Sequence, residues 1–506
     1  MTFEPFRELS PEIVPVLAVK TGKSPFNHPF FKLLTEEDRK SLKVALEAFN
    51  PEIHSYRFIV LPSGKRCMAF SFGETAKFNH RKAILAIRRV IQTAKAERVK
   101  RLAVTLKDFE TKLVFGTELA ELFAAQAEMA NFEFNRYKEK PKGGWPIVER
   151  MFVQSELPLP AFEQAFARGT IIGEEINKAR ALANTPGGDM TPQRLAEAAE
   201  LSAREHGLTI KILGEEEMTR LGMGGVLGVA RGSSEKPRFI ILEYKNGRKG
   251  ERPIALVGKG VTFDTGGLNL KPSDHIYEMH MDMSGGAAVI HTMTALARLG
   301  VKKNIVGLIP AVENMPSGSS YRPGDVLKTM SGKTIEVLDT DAEGRIILSD
   351  ALTYAQKKYN ARLVIDIATL TGAAHVALGN RASAVFSTEE KHAKTLQEIG
   401  ERTGDFVWPL PLWEEYENDI KGTFGDLANL GKNRYGGAIT AAVFLWQFIK
   451  KTENKGHKQN DKKRQPDSPD WIHLDIAPRM TAIDGEFLAK GAAGASIYLI
   501  TTFLRK

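Results

Sequence analysis

Cysteine is almost absent. Cys67 is the only one in 506 residues, so no intrachain disulfide can form, and a reducing compartment fits. Long apolar runs are absent too. The best stretches, residues 438–449 and 492–504, are broken by polar side chains, short of the roughly 18 consecutive apolar residues a membrane span needs. No membrane association is expected. The first residues, Met-Thr-Phe-Glu-Pro-Phe-Arg-Glu, lack the basic-then-apolar order of a secretory signal, so a cytoplasmic location is the expectation. Two phosphate-binding signatures are also missing: no G-x-x-x-x-G-K-[ST] loop occurs, and Phe263 stands where a dinucleotide fingerprint needs its third glycine.

What remains is globular material. Hydrophobic residues make up 42% and charged residues 26%, enough for packed cores and too apolar for disorder. The chain is longer than one core usually grows, so two domains, or three, are expected. A net charge of +9 raises the question of nucleic acid, because clustered Lys and Arg release counterions from phosphates. The densest basic run, residues 80–101, has helical spacing, and such runs more often form a solvated face.

Periodicity divides the chain. Within residues 1–150, strand-like segments at 57–61, 67–72 and 101–106 accompany a helical stretch at 77–97, predicting a small N-terminal α/β domain. Between residues 132 and 159 the pattern fades into Pro- and Gly-containing sequence, and a helical period resumes at 161–184. Residues 151–185 are therefore read as linker and connecting helix, and 186–506 as a second, larger domain. There, strands at 239–244, 254–257, 305–310, 363–368 and 471–476 alternate with helices at 284–299 and 350–358, predicting an α/β fold with a largely parallel central sheet flanked by helices. Ligands gather at the carboxyl ends of strands in such sheets. The loops after Val257, Leu338 and Ala368 are the places to look. Residues 451–470, nearly all charged, polar or Pro, read as an exposed insertion.

The loop Gly258-Lys-Gly-Val-Thr-Phe-Asp-Thr-Gly-Gly offers Lys259 and Asp264 just beyond a buried strand, although alone it is equally a turn capped by Asp264. Lys271 and Asp282 follow, and then Asp339-Thr-Asp-Ala-Glu-Gly-Arg concentrates three acids and an arginine. If residues 334–338 form a strand, Asp341 and Glu343 alternate onto one side and face a shared centre. Carboxylates so close repel one another unless a divalent cation neutralises them. The alternative is a surface salt-bridge network with Arg345, Lys259 and Lys271.

Asp341-Ala-Glu-Gly-Arg345, with the Lys259–Gly267 loop and Asp366-Ile-Ala-Thr-Leu-Thr-Gly-Ala, resembles the signature of the leucyl aminopeptidase (cytosol aminopeptidase) family. Segments 179–186, 225–233, 436–442 and 471–477 resemble family segments in the same order, so the likeness covers roughly residues 165–506. The N-terminal domain matches only in size and α/β character. The resemblance implies a metal-dependent aminopeptidase that removes leucine-like N-terminal residues from peptides through a metal-bridging water or hydroxide. It implies Lys259, Asp264, Asp282 and Glu343 as ligands of one metal, and Asp264, Asp341 and Glu343, with the Asp341 carbonyl, as ligands of the other. These donors suit Mn²⁺ or Zn²⁺, with Mg²⁺ or Co²⁺ as further options. By the same resemblance, Lys271 donates to the substrate carbonyl as charge develops, and Arg345 holds a bicarbonate ion that serves as general base. Met279, Thr369 and Gly372 line the side-chain recess, and the chain assembles as a homohexamer of two stacked trimers.

Three positions depart from the family pattern. Asp339 stands where Asn is usual, Pro478 stands where Gly is usual, and residues 451–470 are longer than expected. Two rival readings remain: a DNA-binding or regulatory role on the same scaffold, motivated by the basic charge, and hydrolysis of phosphate esters by a two-metal site.

Overall fold

Short runs rich in β-branched and aromatic residues build the first of two units in the computed structural model, which describes residues 1–21, 24–49, 52–449 and 468–506. This unit comprises Met1–Asn177, Glu401–Gly404 and Ala482–Lys490. Its strands are β1 (Thr2–Pro5), β2 (Val14–Thr21), β3 (Tyr56–Val60), β4 (Arg66–Glu74), β5 (Arg101–Thr105) and β6 (Arg150–Gln154). They form one sheet in the order β1-β6-β5-β2-β4-β3, parallel at every pairing except the β3–β4 pair. Strand β6 arises inside the segment where the sequence pattern fades. Its Met151 and Val153 are buried between β1 and β5, so neighbours distant in sequence stabilise it.

The basic run becomes helix α1 (His80–Ala96), and the expected solvated face holds for Arg81 but not for two of its basic residues. Arg88 and Lys95 are buried. Arg88 Nε donates to Gln126 at 2.7 Å. Lys95 Nζ pairs with Glu133 at 2.6 Å and donates to the carbonyls of Ala130 and Asn131, at the end of helix α2 (Gly116–Asn131), where the helix dipole favours a cation. Both charges are spent inside the unit and offer nothing to a phosphate.

The second unit comprises Lys178–Gly400, Asp405–Thr481 and Gly491–Lys506. Its strands begin with β7 (Thr209–Leu213), β8 (Arg238–Lys245), β9 (Ile254–Gly258), β10 (Gly260–Asp264), β11 (Asn304–Asn314), β12 (Val326–Lys328) and β13 (Thr334–Glu336). They continue with β14 (Leu363–Ala368), β15 (Ser383–Ser387), β16 (Val407–Pro409), β17 (Leu427–Ala428) and β18 (Asp470–Asp475). A nine-stranded sheet runs β16-β15-β18-β14-β9-β11-β8-β7, with β10 also paired to β11, and β12, β13 and β17 make a small separate sheet. The centre, β18-β14-β9-β11, is parallel as expected. Strands β9 and β14 are buried at every residue, which is why they read as runs of Val, Ile, Leu and Ala rather than as an alternation, broken only by Gly258 at the end of β9 and by Asp366 in β14, whose carboxylate accepts from Trp471 and pairs with His473. Of the segment read as an exposed insertion, residues 451–467 lie outside the described residues.

One joint positions the site. Strands β9 and β10 both pair with β11 and are separated by Lys259 alone. The Lys259 N–H donates to the Ile367 carbonyl on β14 at 3.0 Å, and its own carbonyl accepts from Gly286 at 2.7 Å. Gly286 lies in the first turn of helix α3 (Ser284–Arg298). Only glycine fits there: a Cβ on Gly285 would stand 2.1 Å from the Ile367 oxygen, and one on Gly258 would stand 2.5 Å from the Gly285 oxygen. The missing side chains let the helix start rest directly on two strands.

Candidate metal centre

Four loops at the carboxyl ends of these strands bring the acids and lysines together. Lys259 occupies the joint, Asp264 ends β10, and Asp282 follows the short 3-10 turn Met279–Met281 just before α3. Glu343 opens helix α4 (Glu343–Tyr359), and Asp341 lies in the turn before it. The sequence expectation differs here in two respects. Strand β13 stops at Glu336, so Asp341 and Glu343 do not alternate along a strand; they meet because a turn folds into a helix. The helix also begins at Glu343 rather than at residue 350.

Two lysines stand among four carboxylates. Lys259 Nζ lies 2.8 Å from Asp282 and 2.7 Å from Glu343, and donates to the Thr369 carbonyl at 2.9 Å. Lys271 Nζ lies 2.9 Å from Asp264 and pairs also with Asp341. Oxygens of Asp264, Asp341 and Glu343 all approach within 4.8 Å of one another, which joins the two groups. Buried oxygens of Asp282, Asp341 and Glu343 face these ammonium groups without accepting an aligned hydrogen bond. Carboxylate oxygens that converge in this way are the donors a hard divalent cation takes.

Electrostatics favours the same occupant. Burial, and then the charge of Glu343, lift Asp264 above the ordinary carboxylate range. Asp282 is raised well above it, mainly by burial and against the pull of Lys259. Asp341 is pushed up to about 7 by burial and by Glu343 and Asp264. Glu343 goes the other way: burial raises it, but Lys259 and Lys271 outweigh that and hold it ionised. Burial also opposes both ammonium charges, yet the acids keep Lys259 and Lys271 above their ordinary range. The crowded acids thus tend to hold protons in the metal-free site, and a divalent cation would take the place of those protons.

Neighbouring residues fix these groups. Asp264 Oδ1 accepts from the Gly266 N–H at 2.9 Å and from Asn314 Nδ2 at 2.8 Å. Asn314 and the Tyr321 hydroxyl both donate to the Thr340 carbonyl, at 2.9 and 2.6 Å. Asp339 Oδ1 accepts from the Asp341 N–H at 2.8 Å. Arg345 is buried and donates to the Asn429 carbonyl at 2.8 Å, while its Nε has no hydrogen-bond partner. Burial pushes the Arg345 guanidinium down to about 10, still charged at neutral pH.

The cluster opens into a cavity of about 900 Å³. Lys259, Asp264, Lys271, Asp282, Asp341 and Arg345 line its floor region, and Met279, Thr369 and Gly372 line it together with Leu370, Ala373 and Met480. Nothing lies within 4 Å of where a Gly372 Cβ would be, so the recess is open at that point.

Comparison with known proteins decides the family. The description "Cytosol aminopeptidase family, catalytic domain" matches residues 177–501, and that of the same family's N-terminal domain matches residues 44–141. A probable cytosol aminopeptidase of Methylobacillus flagellatus is 42% identical over 75% of this chain and 73% of its own length. One from Chlorobium limicola is 46% identical over 71% and 68%. This chain belongs to the cytosol aminopeptidase family. Among solved structures, the cytosol aminopeptidase of Coxiella burnetii superposes with a TM-score of 0.81 at 27% identity, covering 99% of this chain and 98% of that one. The bottromycin maturation enzyme BotP in complex with Mn has the same TM-score at 28% identity, covering 98% and 99%. The chain is thus an aminopeptidase, a hydrolase of peptides, with an α/β fold.

In this cytosol aminopeptidase, Asn314, Tyr321, Thr340 and Asn429 hold the cluster in place, and sequence reasoning names none of them. Asn314 carried a usable signal, since it ends a central strand of a largely parallel sheet. Thr340 lies within the acidic motif itself, hidden by its uncharged side chain.

Proposed function

We propose that this aminopeptidase is metal-dependent and removes leucine-like N-terminal residues from peptides, with Lys259, Asp264, Asp282, Asp341 and Glu343 holding two divalent ions, Lys259 as the neutral amine once a cation has displaced its proton. The observation that carries the reading is the convergence of Asp264, Asp341 and Glu343 oxygens on one centre that opens into a cavity partly walled by Met279, Leu370, Ala373 and Met480. When bound, two such ions would lower the pKa of a shared water and polarise the peptide carbonyl. Asp264 and Glu343, lying between the two lysine-centred groups, would be the shared ligands. Lys271 would donate to the carbonyl oxygen as it gains charge. The unpartnered Nε of buried Arg345 would hold bicarbonate as the general base. Met279, Thr369 and Gly372 would receive the side chain of the N-terminal residue.

The manganese bound by BotP and the oxygen-rich donor set support Mn²⁺, with Zn²⁺ as the other leading candidate. A homohexamer is proposed on the family resemblance; exposed apolar side chains such as Val376 at 90% and Phe424 at 82% are available for contacts between copies. A cytoplasmic location is supported by the relatives' shared description; among the described residues no helix is long and apolar enough to cross a membrane.

A substrate panel tests the reading. Leucyl-p-nitroanilide is expected to be hydrolysed and p-nitrophenyl phosphate to be untouched; the reverse pattern would establish phosphate-ester chemistry instead. The unusual Asp339 is tested separately. Asn at this position keeps the oxygen that accepts from the Asp341 N–H, so Asp339→Asn removes a charge and little else. Mn²⁺ affinity is expected to weaken by about two- to tenfold, as one nearby charge in a partly solvated site predicts. Chelator-competition titration measures it, and an unchanged affinity would deny Asp339 any tuning role.

A further inference from the structure

The segment His473-Leu-Asp-Ile-Ala stands out in the sequence, yet the proposed chemistry gives it no task. It ends β18 in Asp475, a fully buried carboxylate. Both of its oxygens are engaged, and their donors come from two different loops. Oδ1 accepts from the N–H groups of Leu370 at 3.0 Å, Thr371 at 3.4 Å and Ala477 at 3.1 Å; Oδ2 accepts from the Thr371 hydroxyl at 2.6 Å. Each loop forms part of the cavity wall, with Leu370 and Gly372 in one and Pro478 and Met480 in the other.

We propose that Asp475 is a positioning residue that sets the width of the substrate recess, and through it the size of the N-terminal side chain accepted. This rests on the aminopeptidase reading of the same cavity. The two loops differ in stiffness. Pro478 fixes its backbone φ, whereas the first loop enters a helix at Gly372, which has no side chain of its own to pack and no neighbour within 4 Å of where a Cβ would stand. Loss of the carboxylate therefore releases chiefly the 370–372 side. Thr369, one residue earlier, has anchors of its own: its carbonyl accepts from Lys259 at 2.9 Å and its hydroxyl donates to Asp282 at 2.7 Å. Recognition should loosen more than chemistry. A merely structural role, in which Asp475 only steadies the helix start that Thr371 caps, would lower turnover of every substrate alike.

The test compares leucyl- and alanyl-p-nitroanilide on the metal-loaded enzyme carrying Asp475→Ala, Asp475→Asn or Thr371→Val. One side-chain methylene is discriminated by roughly tenfold or more in a well-fitted pocket. Asp475→Ala should therefore cut the leucyl-over-alanyl ratio of kcat/KM by about tenfold, through KM for the leucyl substrate. Asp475→Asn, which keeps the Oδ1 acceptor, should retain most of the ratio. Thr371→Val removes the Oδ2 contact together with the cap to the Ala374 N–H, leaves the three Oδ1 contacts, and should fall between; it also answers the question if Asp475→Ala does not fold. An equal loss of kcat on both substrates, or an unchanged ratio in Thr371→Val, overturns the proposal. Wild-type inactivity on every aminoacyl substrate would instead overturn the functional reading beneath it.

Discussion

Glu343→Ala is expected to lower kcat/KM for leucyl-p-nitroanilide by about 10³-fold or more, the loss that follows when several kcal/mol of metal-derived stabilisation disappears. Three observations single out this residue. Its oxygens lie with those of Asp264 and Asp341, it contacts Lys259 at 2.7 Å, and it is the acid whose ionised form the surrounding lysines favour. It also starts a helix rather than sitting mid-element, so alanine there should leave α4 intact. Metal content by mass spectrometry, measured beside the kinetics, should show ions lost from the variant. Activity within tenfold of wild type, at equal metal content, would remove Glu343 from the proposed ligand set.

Metal removal should be as severe for activity and much milder for the fold. Dialysis against a strong chelator is expected to reduce hydrolysis to background, with recovery on adding Mn²⁺ or Zn²⁺. Lys259 and Lys271 already pair with all four carboxylates, so the metal-free acids are not left to repel one another unchecked. The far-UV spectrum should hold at 25 °C, while the thermal midpoint falls, because ligands of the native state add about 4 kcal/mol at a thousandfold excess over Kd. Full activity in protein shown to have lost its metal would end the proposed mechanism.

The sequence carries the parallel core openly, since strands buried on both faces are largely apolar, as β9 is throughout and β14 is at every position but Asp366. The lysines and acids of the centre are legible as motifs, but their pairwise geometry is not. Helix α4 hides its start because Ala342 supplies no side-chain cap and Gly344 weakens the first turn. That glycine is required: a Cβ there would press within 2.8 Å of the Lys259 side chain. Supporting residues stay invisible for a different reason. Asn314 serves Asp264 across 50 residues and Thr371 serves Asp475 across 104, and no local pattern marks such partners. Strand β6 is missed on the same principle, being defined by its neighbours rather than by its composition.

The glycine joint between α3 and the central strands has a practical consequence for anyone reshaping this enzyme. Gly258, Gly285 and Gly286 touch one another's backbones and the backbone of Lys259, yet only Lys259 of that group lines the cavity. In a mutational scan these three positions would be as intolerant as the charged cluster while contributing no functional group. The exchangeable part of the molecule is elsewhere, in the paired wall loops; a library built to change selectivity belongs there and should leave the joint untouched.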